Sequence, residues 1–197
     1  MDKKKKLIII VLALVLLIAG ASVLYNRLGE KMAPEQLAVA ETAPTEETGT
    51  EPAGTEPPGI PAPDFTVYDG EGNPVKLSDY FGKPIVMNFW ASWCGPCKME
   101  MPDFNEKSQE LDGKVQFLMI NMTDGGRETV ETASAFIDEQ GYTFPVFFDT
   151  TTEAAYTYGA YSLPMTVFID EAGNVRDLAI GAINEETLLS KIDIILP

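Results

Sequence analysis

Hydrophobic residues are distributed along the chain in three distinct ways. From Leu7 to Leu24 there is no charged residue, and only Ser22 has a polar side chain. As a helix, such a run rises roughly 27 Å, about the thickness of a bilayer's hydrocarbon layer. Beyond Tyr25 the apolar signal fades. No aromatic residue occurs until Phe65, and residues 26–60 carry seven glutamates, five prolines and a short repeat, Gly49-Thr50-Glu51-Pro52 followed by Gly54-Thr55-Glu56-Pro57. Such a segment has too little to bury to offset its ordering entropy, so residues 26–60 are expected to be a disordered linker, with a span of roughly 30–35 Å as a flexible coil.

From Ile60 onward short apolar runs alternate with helical periodicity. Asp64–Tyr68 and Val75–Leu77 flank the turn residues Asp69-Gly70-Glu71-Gly72-Asn73 and predict a hairpin. Strands are expected at Pro84–Trp90, Val115–Asn121 and Pro145–Phe148, and a second hairpin at Met165–Ile169 and Val175–Ile180. Helices are expected at Cys97–Glu110, with Pro102 as a kink or break, at Glu128–Gln140 ending on Gly141, at Thr152–Tyr158, and from an Asn184 cap to Ile195. The alternation predicts an α/β domain over residues 61–197, with a central mixed sheet flanked by helices.

Charge turns this pattern into a topology. The 197 residues carry 14 Lys+Arg and 30 Asp+Glu, a net of −16. Residues 1–31 nevertheless hold six basic side chains against two acids. Four lysines directly before the apolar run place residues 1–6 in the cytoplasm, residues 7–25 as a membrane anchor and the remainder outside. A cleaved signal peptide is the rival reading, since Ala19-Gly20-Ala21 fits a cleavage site; the run's continuation through Val23 and Leu24 favours the anchor. Either way the body is exported. The acidity argues against nucleic-acid binding.

The chain has no histidine, which removes Ser-His-Asp hydrolysis, Cys-His nucleophiles and His-containing zinc sites. The two cysteines lie together in Trp93-Cys94-Gly95-Pro96-Cys97, between an apolar strand and a helix. A thiol at a helix N-terminus is favoured as thiolate, and a second thiol one turn further in can close a disulfide while staying shielded. Cys94 is therefore the expected nucleophile and Cys97 the resolving thiol. A zinc site lacks further Cys or His ligands, and a disulfide closing so short a loop restrains the unfolded chain very little. No metal or cofactor is expected.

Met87-Asn88-Phe89-Trp90-Ala91-Ser92-Trp93-Cys94-Gly95-Pro96-Cys97-Lys98 resembles the active-site stretch of thioredoxins, and more closely that of the membrane-anchored TlpA/ResA-like thiol-disulfide oxidoreductases. Ser162-Leu163-Pro164-Met165-Thr166 is similar to the family's cis-proline loop, although Pro164 on its own also reads as a strand-start proline. The resemblance implies a thioredoxin-like fold with an N-terminal β-hairpin extension and a central αβ insertion around Asn121–Phe148. It implies a Cys94–Cys97 redox disulfide, and a substrate groove bordered by Trp93, Gly95, Pro96, Leu163 and Pro164. Two departures matter. Asn88 stands where thioredoxins carry a buried aspartate, so proton transfer passes to another group; the resemblance points to Glu100, whose alternative is a solvated helix glutamate. Peroxiredoxins, whose start Phe65–Trp90 also resembles, need Pro and Thr where Met87 and Ala91 stand, so peroxidase activity is not expected.

The function implied is reduction of disulfides in exported proteins, with apocytochrome c as one client type. With only two thiols the chain has no internal relay, so a membrane thiol donor of the CcdA/DsbD kind is the implied partner. A monomer is expected. A disulfide-forming oxidase and a tethered, non-catalytic binding or holdase module are the alternatives.

Overall fold

The computed structural model describes residues 59–197. The expected cytoplasmic tail, the expected anchor and all but the end of the expected linker lie outside the described residues. Among the described residues no helix is long and apolar enough to cross a membrane.

The strands are β1 (Ile60–Pro61), β2 (Thr66–Tyr68), β3 (Pro74–Lys76), β4 (Ile85–Trp90), β5 (Gln116–Asn121), β6 (Val146–Phe148), β7 (Met165–Ile169) and β8 (Asn174–Ile180). The helices are α1 (Gly95–Glu110), α2 (Val130–Gln140), α3 (Glu153–Tyr158) and α4 (Glu185–Ile195), and a 3-10 turn covers Leu77–Tyr80. All eight strands form one mixed sheet in the order β1-β8-β7-β4-β5-β6-β2-β3. β4 and β5 are parallel, as are β5 and β6, while β7 runs antiparallel to both β4 and β8. This is the expected helix-flanked mixed sheet of a thioredoxin-like fold.

β4 is central, and all six of its residues are buried. Helices cover parallel strands on both faces, so such a strand reads as an unbroken apolar run. Its side chains still alternate. Val86 and Trp90 enter a cluster with Phe104 and Met101 of α1, Ile137 of α2 and Leu188 and Ile192 of α4. Ile85, Met87 and Phe89 point the other way, into a cluster with Phe65, Val67 and Leu77 and with Ala154 and Ala155 of α3. Asn88 falls between Val86 and Trp90 in this alternation and so faces the α1 side.

The two expected hairpins are present. In the β2–β3 loop the Asp69 carboxylate accepts the backbone N–H groups of Glu71 (2.9 Å) and Asn73 (2.8 Å). That hairpin joins the main sheet through Tyr68 beside Phe148, while β1 caps the opposite edge against β8. Neither edge pairing was legible from local pattern.

The helix boundaries need correction. α1 begins at Gly95 rather than Cys97 and continues through Pro102. Proline removes the bond to the Lys98 carbonyl, but Pro102 and Lys98 are both exposed, so water can take that acceptor. Burial of Met101 and Phe104 on either side of Pro102 holds the helix together. α2 begins at Val130, because Thr129 caps it: the Thr129 hydroxyl accepts the Thr132 N–H at 3.2 Å. Glu128 is therefore outside the helix. α3 starts at Glu153, one residue later than expected.

Candidate active site

The chain leaves β4 at Trp90 and turns through Ala91-Ser92-Trp93, with the Cys94 N–H donating to the Ala91 carbonyl at 3.0 Å. Cys94 is the N-cap of α1, and its sulfur accepts the Cys97 N–H at 3.2 Å. Gly95 and Pro96 fill the first two helical positions, where a missing proline N–H costs no helical bond. The sulfurs of Cys94 and Cys97 are bonded, with Cα atoms 5.3 Å apart. Cys94 is 5% exposed and Cys97 0%, so an incoming thiol reaches the first sulfur and not the second. Unsatisfied N–H groups and the helix dipole at this end favour negative charge on the Cys94 sulfur once the disulfide opens.

The Leu163–Pro164 peptide is cis. Pairing of Phe89 with Met165 sets this loop beside the end of β4. A groove of about 610 Å³ runs past Cys94, with Trp93, Gly95 and Pro96 on one side and Leu163, Ala160 and Tyr161 on another. Of the residues expected to border it, Pro164 is not among those lining the groove: it is buried next to Leu163 in the chain, and its carbonyl accepts the Gly181 N–H at 2.8 Å. Trp93 is 41% exposed, whereas Trp90 and Phe89 belong to the core.

Glu100 is no solvated helix residue. It is 1% exposed, one turn beyond Cys97 on the inner face of α1. One carboxylate oxygen accepts the Asn88 amide at 2.8 Å, and the other accepts the Ile183 N–H at 2.9 Å. The Asn88 amide also donates to the Thr166 hydroxyl at 3.0 Å, which fixes its orientation. Burial pushes the Glu100 carboxyl up to about 7, against the opposing pull of the Ile183 and Asn88 donors. A carboxyl poised there can exchange a proton near neutral pH, a role the non-titrating Asn88 cannot perform.

The residues missed in the sequence lie in the loop after β5. Glu128 is buried, and its carboxylate accepts the Ser92 N–H, the Ser92 hydroxyl and the Asn121 amide, each at 2.7 Å. Its neighbour Arg127 stacks over the Trp93 ring at 3.9 Å. The Arg127-Glu128 pair thus grips the Ser92-Trp93 pair that leads into Cys94. Their signal was the capping box Thr129-x-x-Thr132, which places the helix start after Glu128 and frees that carboxylate for the loop.

A family model described as the AhpC/TSA family matches residues 58–178. The chain belongs to the AhpC/TSA family. Within this thioredoxin-like family it is 34% identical over 137 residues to the thiol-disulfide oxidoreductase ResA of Geobacillus thermodenitrificans, covering 69% of this chain and 76% of that protein. It is 32% identical over 133 residues to the thioredoxin-like protein YneN of Bacillus subtilis, covering 68% and 77% of the two chains. A Chlorobium tepidum structure assigned as the thiol:disulfide interchange protein DsbE superposes with a TM-score of 0.64 at 30% identity, covering 71% of this chain and 97% of that one. With its paired cysteines at the helix mouth, this AhpC/TSA chain is a thiol-disulfide oxidoreductase, an enzyme that acts on disulfide-bearing substrates.

Proposed function

We propose that the protein is an extracytoplasmic reductase of disulfides in exported proteins, anchored by residues 7–25 through the linker 26–60. The observation that carries the mechanism is the unequal exposure of Cys94 and Cys97 at the start of α1. In the reduced enzyme the Cys94 thiolate attacks a client disulfide. A mixed disulfide forms and the client's second sulfur leaves as thiolate. Cys97 gives up its proton, with Glu100 as the acceptor, and attacks the Cys94 sulfur. The Cys94–Cys97 bond closes, the client's remaining sulfur leaves as thiolate, and the client, having gained two electrons, becomes a dithiol by taking up the Glu100 proton and one from water. Trp93, Gly95, Pro96 and Leu163 receive the client backbone, and the cis peptide to Pro164 sets the course of the chain at Leu163.

Recovery of the dithiol requires a donor, since exported proteins meet an oxidising compartment. A membrane thiol transporter of the CcdA/DsbD kind fits this need, and apocytochrome c is one client whose cysteine pair suits the reaction. The Gly95-Pro96 pair between the cysteines, which resembles that of reducing thioredoxins, favours reduction over disulfide formation.

A Cys97→Ser variant tests the reading, because it stops the reaction at the mixed disulfide. Exported thiol proteins are expected to be captured on Cys94, and capture is lost when Cys94 is also replaced. An absence of adducts, or full function in a Cys94→Ser variant, would overturn catalysis in favour of a binding module. Direction is tested by the reduction potential: a value near that of thioredoxin, about −270 mV, is expected, and one near −120 mV would make the protein an oxidase. The mature N-terminus is expected at Met1; a start at Ser22 would replace the anchor with a cleaved signal.

A further inference from the structure

Arg127 stands out on the rim of the groove. Residues 59–197 carry eight basic side chains against 22 acidic ones, and Arg127 is the only one of the eight that lines the groove beside Cys94. Its guanidinium carbon lies 3.9 Å over the centroid of the Trp93 ring, a cation–π contact. Among the described residues no hydrogen bond or ion pair engages its N–H groups, and its one charged neighbour on the groove is Asp124, whose carboxyl it helps to hold below the usual range. The other charged residue on the groove, Asp124, is turned into its own loop, where one carboxylate oxygen accepts the N–H groups of Gly126 at 2.7 Å and Glu128 at 2.9 Å. The three bonds of the buried Glu128 carboxylate fix the backbone on which Arg127 sits. A planar donor fork held over Trp93, with no hydrogen bond to its N–H groups, matches a carboxylate.

We propose that Arg127 is a specificity-determining residue that selects client segments bearing an Asp or Glu side chain next to the cysteine attacked by Cys94. The inference rests on disulfide exchange at Cys94 as described above. When the client sulfur bonds to the Cys94 sulfur, the adjoining client residue lies along the Trp93 wall, within the sweep of the guanidinium edge. The surrounding domain is strongly acidic and repels an acidic client at long range. A single local cation at the groove therefore discriminates by position rather than by overall charge.

The test uses the full reduced chain and three short peptides, each closed by one disulfide and differing only in a Glu, Gln or Lys beside the cysteine. Second-order reduction rates are measured for each. The Glu peptide is expected to react about fivefold faster than the Gln peptide, with Lys slowest. In Arg127→Gln the Glu-to-Gln ratio collapses towards one, and in Arg127→Glu the order inverts. A ratio that survives Arg127→Gln would overturn the proposal. So would an equal slowing of all three peptides, which would mean that Arg127 acts on the Cys94 sulfur and not on the client. Inertness of the parent chain towards every peptide is the distinct result that would overturn exchange itself, and client selection with it.

Discussion

Two buried glutamates, Glu100 and Glu128, do different work on either side of the cysteine pair. Glu100 has two hydrogen-bond donors for its two oxygens, and burial still outweighs them, raising its carboxyl from 4.5 to about 7. Between these values the folded protein binds a proton at Glu100 that the unfolded chain has released, so this carboxyl's contribution to stability is full below pH 4.5 and is lost as pH rises through 7. The expected loss is about 3 kcal/mol. Glu100→Gln should remove it: the variant's urea midpoint should exceed that of the parent at pH 8 and converge with it near pH 4. The same variant should flatten the pH dependence of disulfide exchange between pH 6 and 9, and unchanged rates across that range would reject a proton-transfer role. Glu128 makes three bonds of 2.7 Å to donors around Ser92. Glu128→Ala leaves the Ser92 N–H and the buried Asn121 amide without their acceptor, so unfolding at pH 7 should become easier by about 2 kcal/mol. A change within the scatter of surface mutations would show the clamp to be dispensable.

Among the elements, α4 is closed at its start by Asn184, whose side chain accepts the Thr187 N–H at 3.0 Å. Asn184→Ala should cost about 1 kcal/mol in equilibrium unfolding while Asn184→Ser costs little. α4 is tied to α1 by Lys107, a largely buried ammonium that reaches Glu185 at 2.7 Å and Glu110 at 2.8 Å and is held protonated by them. The elements themselves were legible because β4, β5 and β7 are apolar runs and because Gly141 and Asn184 mark helix ends by their own chemistry. The cysteine pair was equally legible, since both thiols and their helix lie in one local stretch. The pairing of β1 with β8, the Glu100–Asn88–Thr166 contact and the Glu128–Ser92 clamp were not. Each joins residues far apart in the chain, and periodicity carries no record of such partners. Glu128 was obscured further by apolar positions that allow the helical pattern to be extended backwards over it.

At the level of the whole domain, the register fixes where the chain enters relative to the reactive sulfur. Ile60 pairs with Val175, Val175 with Ile169 and Ile169 with Ile85, the first residue of β4. Cys94 follows the other end of β4, so the chain joins the domain at the pole opposite the groove. Residues 59–197 alone should therefore reduce a small soluble disulfide at the same second-order rate as the full chain. A slower rate would mean that the N-terminal segment contributes to the groove.

The same short N-terminal stretch supplies strands to both rims of the sheet, β1 beside β8 and β2–β3 beside β6. Its partners are made late: β6 lies well past the middle of the chain, and β8 is followed only by α4. While the polypeptide is being synthesised, the β2–β3 rim cannot close before β6 has emerged, nor the β1 rim before β8 has. Completion of the fold is thus a late, long-range event, with high contact order and a slow final step.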